Sequence, residues 1–92
     1  MIGSFADRSA ALIYDGGKCR KYAGLERIIA RKLNALKYAR SLQDLKVLPG
    51  NRLEALKGDR TGQYSIRINQ QFRICFTWGG EYAYEIEIVD YH

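Results

Sequence analysis

The apolar residues of this chain change their spacing near residue 62, and that change calls for two kinds of structure in one small protein. Before it they recur every three to four residues. Leu25, Ile28, Ile29, Leu33 and Leu36 mark one face of a helix over residues 23–38, with Arg27, Arg31, Asn34 and Tyr38 largely on the other. After it they recur every second residue. Tyr64, Ile66 and Ile68 alternate with Ser65 and Arg67; Phe72, Ile74, Phe76 and Trp78 alternate with Arg73, Cys75 and Thr77; Tyr82, Tyr84, Ile86 and Ile88 alternate with Glu85 and Glu87. The pattern predicts three antiparallel strands, each with one buried face. Residues 2–5 make a short strand candidate, and the next stretch reads as a short helix stopping at Gly16-Gly17. Residues 41–62 are rich in turn signals at Pro49-Gly50 and Gly58-Asp59, with a short strand between them over residues 52–56. The expectation is an α+β fold, with two N-terminal helices packed on a mostly antiparallel sheet and Phe72, Ile74, Ile66, Ile86 and Leu33 in a shared core.

Strand register follows from the same alternation, because a slip of one residue turns every apolar side chain outward. Matching apolar to apolar sets Phe72 opposite Ile68 and Ile88. Arg73 then faces Arg67 on one side and Glu87 on the other, and Asp90 lies beside Gln70. Two arginines directly opposed repel. Either Glu87 and solvent relieve them or an anion sits there.

At 92 residues the chain has room for one domain, residues 1–92, which buries roughly 60 to 65% of its unfolded surface. No apolar leader opens it and no run of about 18 apolar residues occurs, so no membrane span is expected and the cytoplasm is the expected address. Cys19 and Cys75 lack metal-ligand spacing and read as free thiols, so no metal and no cofactor is expected. The charge is divided unevenly. Residues 1–50 hold ten Lys/Arg against four Asp/Glu, a balance of +6, and residues 51–92 hold five against six, a balance of −1. A basic field on the first half attracts phosphates or an acidic partner, although a solvated helix face is the commoner reason for such a surplus.

The stretch "LKGDRTGQYSIRINQQFRICF", followed by a strand ending "VDYH", resembles the HigB branch of the RelE/ParE toxin superfamily. The similarity runs from "MIGSF" through "PGNRLEALKG" to the end of the chain. It implies a RelE-like, microbial ribonuclease-like fold and an mRNA endoribonuclease acting on messages in the ribosomal A site. The implied partner is a HigA-like helix-turn-helix antitoxin, through which alone operator DNA would be met. Residues carried over by motif position are Lys57, Arg73, Asp90, Tyr91 and His92. The chain departs from the pattern at Glu54, where a histidine often stands, which leaves the general base open.

Chemistry gives each of these residues a role and an ordinary alternative. Cleaving RNA without a metal requires a base for the 2′-hydroxyl, cations for the charged phosphorane and an acid for the leaving oxygen. Arg73 suits the phosphorane through its charged fork, or pairs across strands with Glu87. Lys57, next to Gly58, reaches a phosphate or is a surface lysine. Glu54 is a base if burial raises its pKa, or else an exposed carboxylate. Asp90 and His92 are two residues apart on a strand, so Asp90 is able to orient the imidazole; without that role His92 is a frayed tail. Tyr91 stacks on a base or packs as core, and Arg67 joins Arg73 on the strand face. Arg20, Lys21, Arg27, Arg31 and Lys32 steer toward RNA or simply face solvent. Two other functions keep the same fold: a gyrase-binding toxin of the ParE branch, and an inactive homologue.

Overall fold

The computed structural model describes residues 1–91; His92 lies outside the described residues. Helix α1 (Arg8–Tyr14) begins where the Asp7 carboxylate accepts the Ser9 amide at 2.8 Å, a cap that stabilises a helix by about 1 kcal/mol. The other Asp7 oxygen accepts the Ile88 amide at 2.9 Å, so the cap also ties α1 to the sheet. Helix α2 (Glu26–Tyr38) starts three residues later than the expected residue 23, because Arg20–Tyr22 close a 3-10 turn and Gly24 takes a φ of +85°. A third helix, α3 (Leu42–Lys46), stands in the stretch read as loop. Ser41 caps it by accepting the Asp44 amide at 3.3 Å.

Strands β1 (Glu54–Ala55), β2 (Tyr64–Arg67), β3 (Phe72–Gly79) and β4 (Tyr82–Asp90) form an antiparallel sheet in that order. The expected first strand is reduced to two parallel bridges on the free edge of β4, Ile2 to Ala83 and Phe5 to Ile86. Helices α1 and α2 cover one face. Ile13, Ile29, Leu33 and Leu36 meet Ile66, Ile74, Phe76 and Ile86 in one buried cluster that includes all five expected core residues. Among the described residues no helix is long and apolar enough to cross a membrane.

Two expectations about β4 are corrected. Arg67 does oppose Arg73, but Arg73 faces Val89 rather than Glu87, Glu87 faces Cys75, and Asp90 faces Phe72 rather than lying beside Gln70. The pairing is offset by two residues and closed by the Tyr91 amide on the Gln71 carbonyl at 2.6 Å. Tyr82 and Tyr84 also fall on the opposite face from the one the alternation assigned. Between the pairs Cys75–Glu87 and Thr77–Tyr84, β4 carries one extra residue, with Glu85 at a φ of +55°. This bulge reverses the alternation, so Ala83 is fully buried while both tyrosines are 39% exposed. The Tyr84 ring lies over Gly3, where an added Cβ would sit 2.5 Å from two ring carbons.

Lys32 is corrected as well. It is not on the solvated basic face of α2 but 8% exposed, with Nζ donating to Asn51 Oδ1 at 2.7 Å. Burial pushes its ammonium pKa down, and Arg31 and Arg67 push it further.

Candidate active site on the open face of the sheet

Side chains that alternate with the core residues point to the sheet face that α1 and α2 leave uncovered. Arg73 lies at its centre and is 7% exposed. Its Nε donates to Ser65 Oγ at 2.7 Å, and its Nη2 donates to the Arg52 carbonyl at 2.6 Å and the Ser65 carbonyl at 3.4 Å. The Glu54 carboxylate, placed by the pairing of Glu54 with Ser65, stands 3.4 Å from the same Nη2. Tyr91 covers the group, with its ring centroid 5.4 Å from the guanidinium carbon, an arrangement that stabilises a cation by about 0.5–2 kcal/mol. The Nη1 end makes no hydrogen bond to another described residue. The site therefore holds a cation rigidly by one side of its fork.

Repulsion with Arg67 is relieved locally and not by Glu87. Arg67 turns its Nε to the Asn69 carbonyl at 3.1 Å. Glu87 instead pairs with Arg60, at 2.6 Å, which also donates to Gln63 at 2.9 Å. Glu87 thereby holds the Arg60 proton more tightly. Cys75 lies fully buried beside this pair, and burial pushes its thiol pKa up. A protonated, enclosed thiol is a poor nucleophile.

The expected site residues are thus only partly gathered. Arg73, Glu54, Tyr91 and Arg67 share the open face. Lys57 is exposed at the start of the 3-10 turn Gly58–Arg60. Asp90 belongs by register to the side of Phe72, where it accepts from Gln71 Nε2 at 3.1 Å. Arg27 and Arg31 are exposed on α2, across the sheet from Arg73. Sequence reasoning missed Ser65, the Arg52 carbonyl and the Arg60–Glu87 pair. Of these only Arg60 had a signal, as the arginine of the Leu-x-Gly-x-Arg turn.

A sequence model of the family described as the RelE-like toxin of the type II toxin-antitoxin system HigB matches residues 3–92. The chain belongs to this family of HigB-like toxins. It is 37% identical over 80 residues to Toxin HigB-1 of Vibrio cholerae serotype O1, covering 85% of this chain and 84% of that one. An uncharacterized protein of Haemophilus influenzae is 34% identical over 56 residues, covering 61% and 55%. Among solved structures, the fold resembles a chain of the YoeB-YefM complex from Staphylococcus aureus, with a TM-score of 0.63 at 20% identity over 100% of this chain and 98% of that one. A second structure, of the heterotetrameric YoeB-YefM toxin-antitoxin complex from the same organism, gives a TM-score of 0.62 at 20% identity, with the same coverage. The open face described above is therefore a feature of a HigB-like toxin chain with a RelE-like fold.

Proposed function

We propose that this HigB-like toxin is a metal-independent endoribonuclease that cuts mRNA in the ribosomal A site, inhibits translation and is neutralised by a HigA-like antitoxin. The observation that carries the reading is Arg73: a nearly buried guanidinium, fixed on its Nε and Nη2 side, with its Nη1 end directed to no described residue. Such a fork suits a phosphate whose charge grows during reaction. The ribose 2′-oxygen attacks the adjacent phosphorus, the P–O5′ bond breaks, and the leaving 5′-oxygen takes a proton. Arg73 and Lys57 stabilise the phosphorane, Tyr91 stacks on a base, and Glu54, Asp90 or His92 moves the protons. Arg67 adds charge along the strand path of the RNA, while Arg27 and Arg31, on the far side, serve ribosomal RNA.

The test is to induce the toxin in bacteria and map mRNA 5′ ends with and without the antitoxin. New ends within codons of translated messages, lost when the antitoxin is present, are expected. Gyrase inhibition with no new ends would instead favour a ParE-like toxin. Glu54→Ala assigns the base. The Glu54 side chain is 53% exposed and directed at Arg73, so the expected loss in cleavage rate is about tenfold or less, and a loss of about 10² to 10⁴ would make Glu54 the base.

The antitoxin is placed on the α2–α3 side. There Tyr38 is 73% and Leu48 44% exposed on a cleft of about 260 Å³ that Asp44 also lines, and α2 and α3 carry the exposed cations Arg31, Lys37 and Lys46. An acidic segment with apolar anchors is complementary to such a surface. Reversing Arg27 and Arg31 to glutamate is expected to weaken the complex about tenfold or more, measured by calorimetry. An unchanged affinity would remove the antitoxin from this side.

A further inference from the structure

Lys32 is a buried cation on the opposite side of the sheet from Arg73, and the proposed chemistry makes no direct use of it. Its Nζ donates to Asn51 Oδ1 at 2.7 Å. Asn51 is 2% exposed and is bonded from every side: its Nδ2 donates to the Leu45 carbonyl at 3.1 Å, its amide to the Leu48 carbonyl at 3.3 Å, and its carbonyl accepts the Arg67 amide at 2.6 Å. The next residue, Arg52, has a left-handed φ of +46°, which a side chain other than glycine seldom adopts unless neighbours impose it. Its carbonyl, in that conformation, receives Arg73 Nη2 at 2.6 Å. The contacts run without a gap from α2 through Asn51 to the fork of Arg73.

We infer that Lys32, acting through Asn51, is a positioning residue that holds the Arg52 carbonyl where it orients the Arg73 guanidinium. A buried ammonium with one asparagine partner is a costly way to join a helix to a loop, and a methionine, only one atom shorter, would fill most of the space without that cost. The ammonium is retained because it fixes the direction of Asn51 and, with it, a strained peptide. Removing it lets residues 50–52 relax toward ordinary φ values, and Arg73 turns with them. This inference rests on the role proposed for Arg73, but the orientation of Arg73 is measurable without any reaction.

The experiment compares the purified toxin with Lys32→Met, with Lys32→Gln, which keeps a donor for Asn51, and with Ile13→Val as a core substitution that lowers stability elsewhere. Exchange of the Arg73 Nε proton, seen by nitrogen-15 NMR, is expected to quicken about tenfold in Lys32→Met, to stay near the parent in Lys32→Gln, and to be unmoved in Ile13→Val. Cleavage per folded molecule is expected to fall about tenfold to 10²-fold in kcat, with KM little changed, because a displaced arginine loses transition-state contact first. Parent-like Arg73 exchange in folded Lys32→Met overturns the inference. If the parent itself cuts no message, the functional reading fails while the exchange measurement still decides the positioning role. Should Lys32→Met not fold, Asn51→Ser is read by the same two measurements and the same criteria.

Discussion

Replacing Arg73 by alanine is expected to lower cleavage by a factor of about 10² to 10³, the usual loss when one preorganised contact to transition-state charge is removed. The same change is expected to destabilise the fold, against the simple expectation that it relieves repulsion with Arg67. Ser65 Oγ and the Arg52 carbonyl both lose their partner inside a nearly closed site, and buried groups left unpaired cost about 1–3 kcal/mol. Arg73→Lys separates the two effects. It keeps the charge on a single donor nitrogen but not the fork, so stability should recover more than activity. Rates are to be compared per folded molecule, with the folded fraction read by circular dichroism. A folded Arg73→Ala toxin that cuts A-site message at the parent rate would end the catalytic reading.

The largest effect on stability is expected from Phe76→Ala. Phe76 is fully buried, its ring centroid lies 6.2 Å from that of Tyr64 and 6.4 Å from that of Trp78, and it alone faces the bulged residues of β4. Removing the ring leaves a cavity that the rigid strands around it cannot close, at about 3–5 kcal/mol. Native stability for a domain of this size is about 5–15 kcal/mol, so much of it is lost. The melting temperature should drop by at least about 12 °C, measured by thermal denaturation. A drop of only about 3 °C, worth less than 1 kcal/mol at this size, would show that the cluster repacks and that the core is less tightly specified than described.

The change of apolar period was enough to read α2, the three long strands, the buried set and the opposition of Arg67 to Arg73. It could not settle β3 against β4, for a definite reason. A slip of two residues returns every side chain to the same face, so the alternation allows both registers, and matching apolar to apolar then favours Phe72 opposite Ile88 where the strands pair Phe72 with Asp90. The bulge at Glu85 was hidden because tyrosine suits either face and Ala83 looks like a spacer. Helix α3 was legible in "SLQD", a serine followed three residues later by an acid, but the nearby turn residues outweighed it. At the site, family resemblance pointed to Arg73 and Tyr91. The groups that hold Arg73 are a backbone carbonyl and a serine, which no residue pattern announces. Lys32 was misplaced because helical spacing gives an angle around the helix and says nothing of a loop that folds over it.

The pairing of Ile2 with Ala83 and of Phe5 with Ile86 has a consequence for synthesis. Partners 81 residues apart cannot meet until both have left the exit tunnel, and at about 5–20 residues per second that is a wait of roughly 4 to 16 s. Throughout it, residues 2–6 have no edge to join, Asp7 lacks the Ile88 amide, and the tyrosine that caps Arg73 has not been made. Helices α1 and α2 are able to form early, since their contacts are local. The strand that completes the sheet also leads into the tyrosine that covers Arg73, so the sheet and the cover of its open face are completed together, after both helices have had time to form.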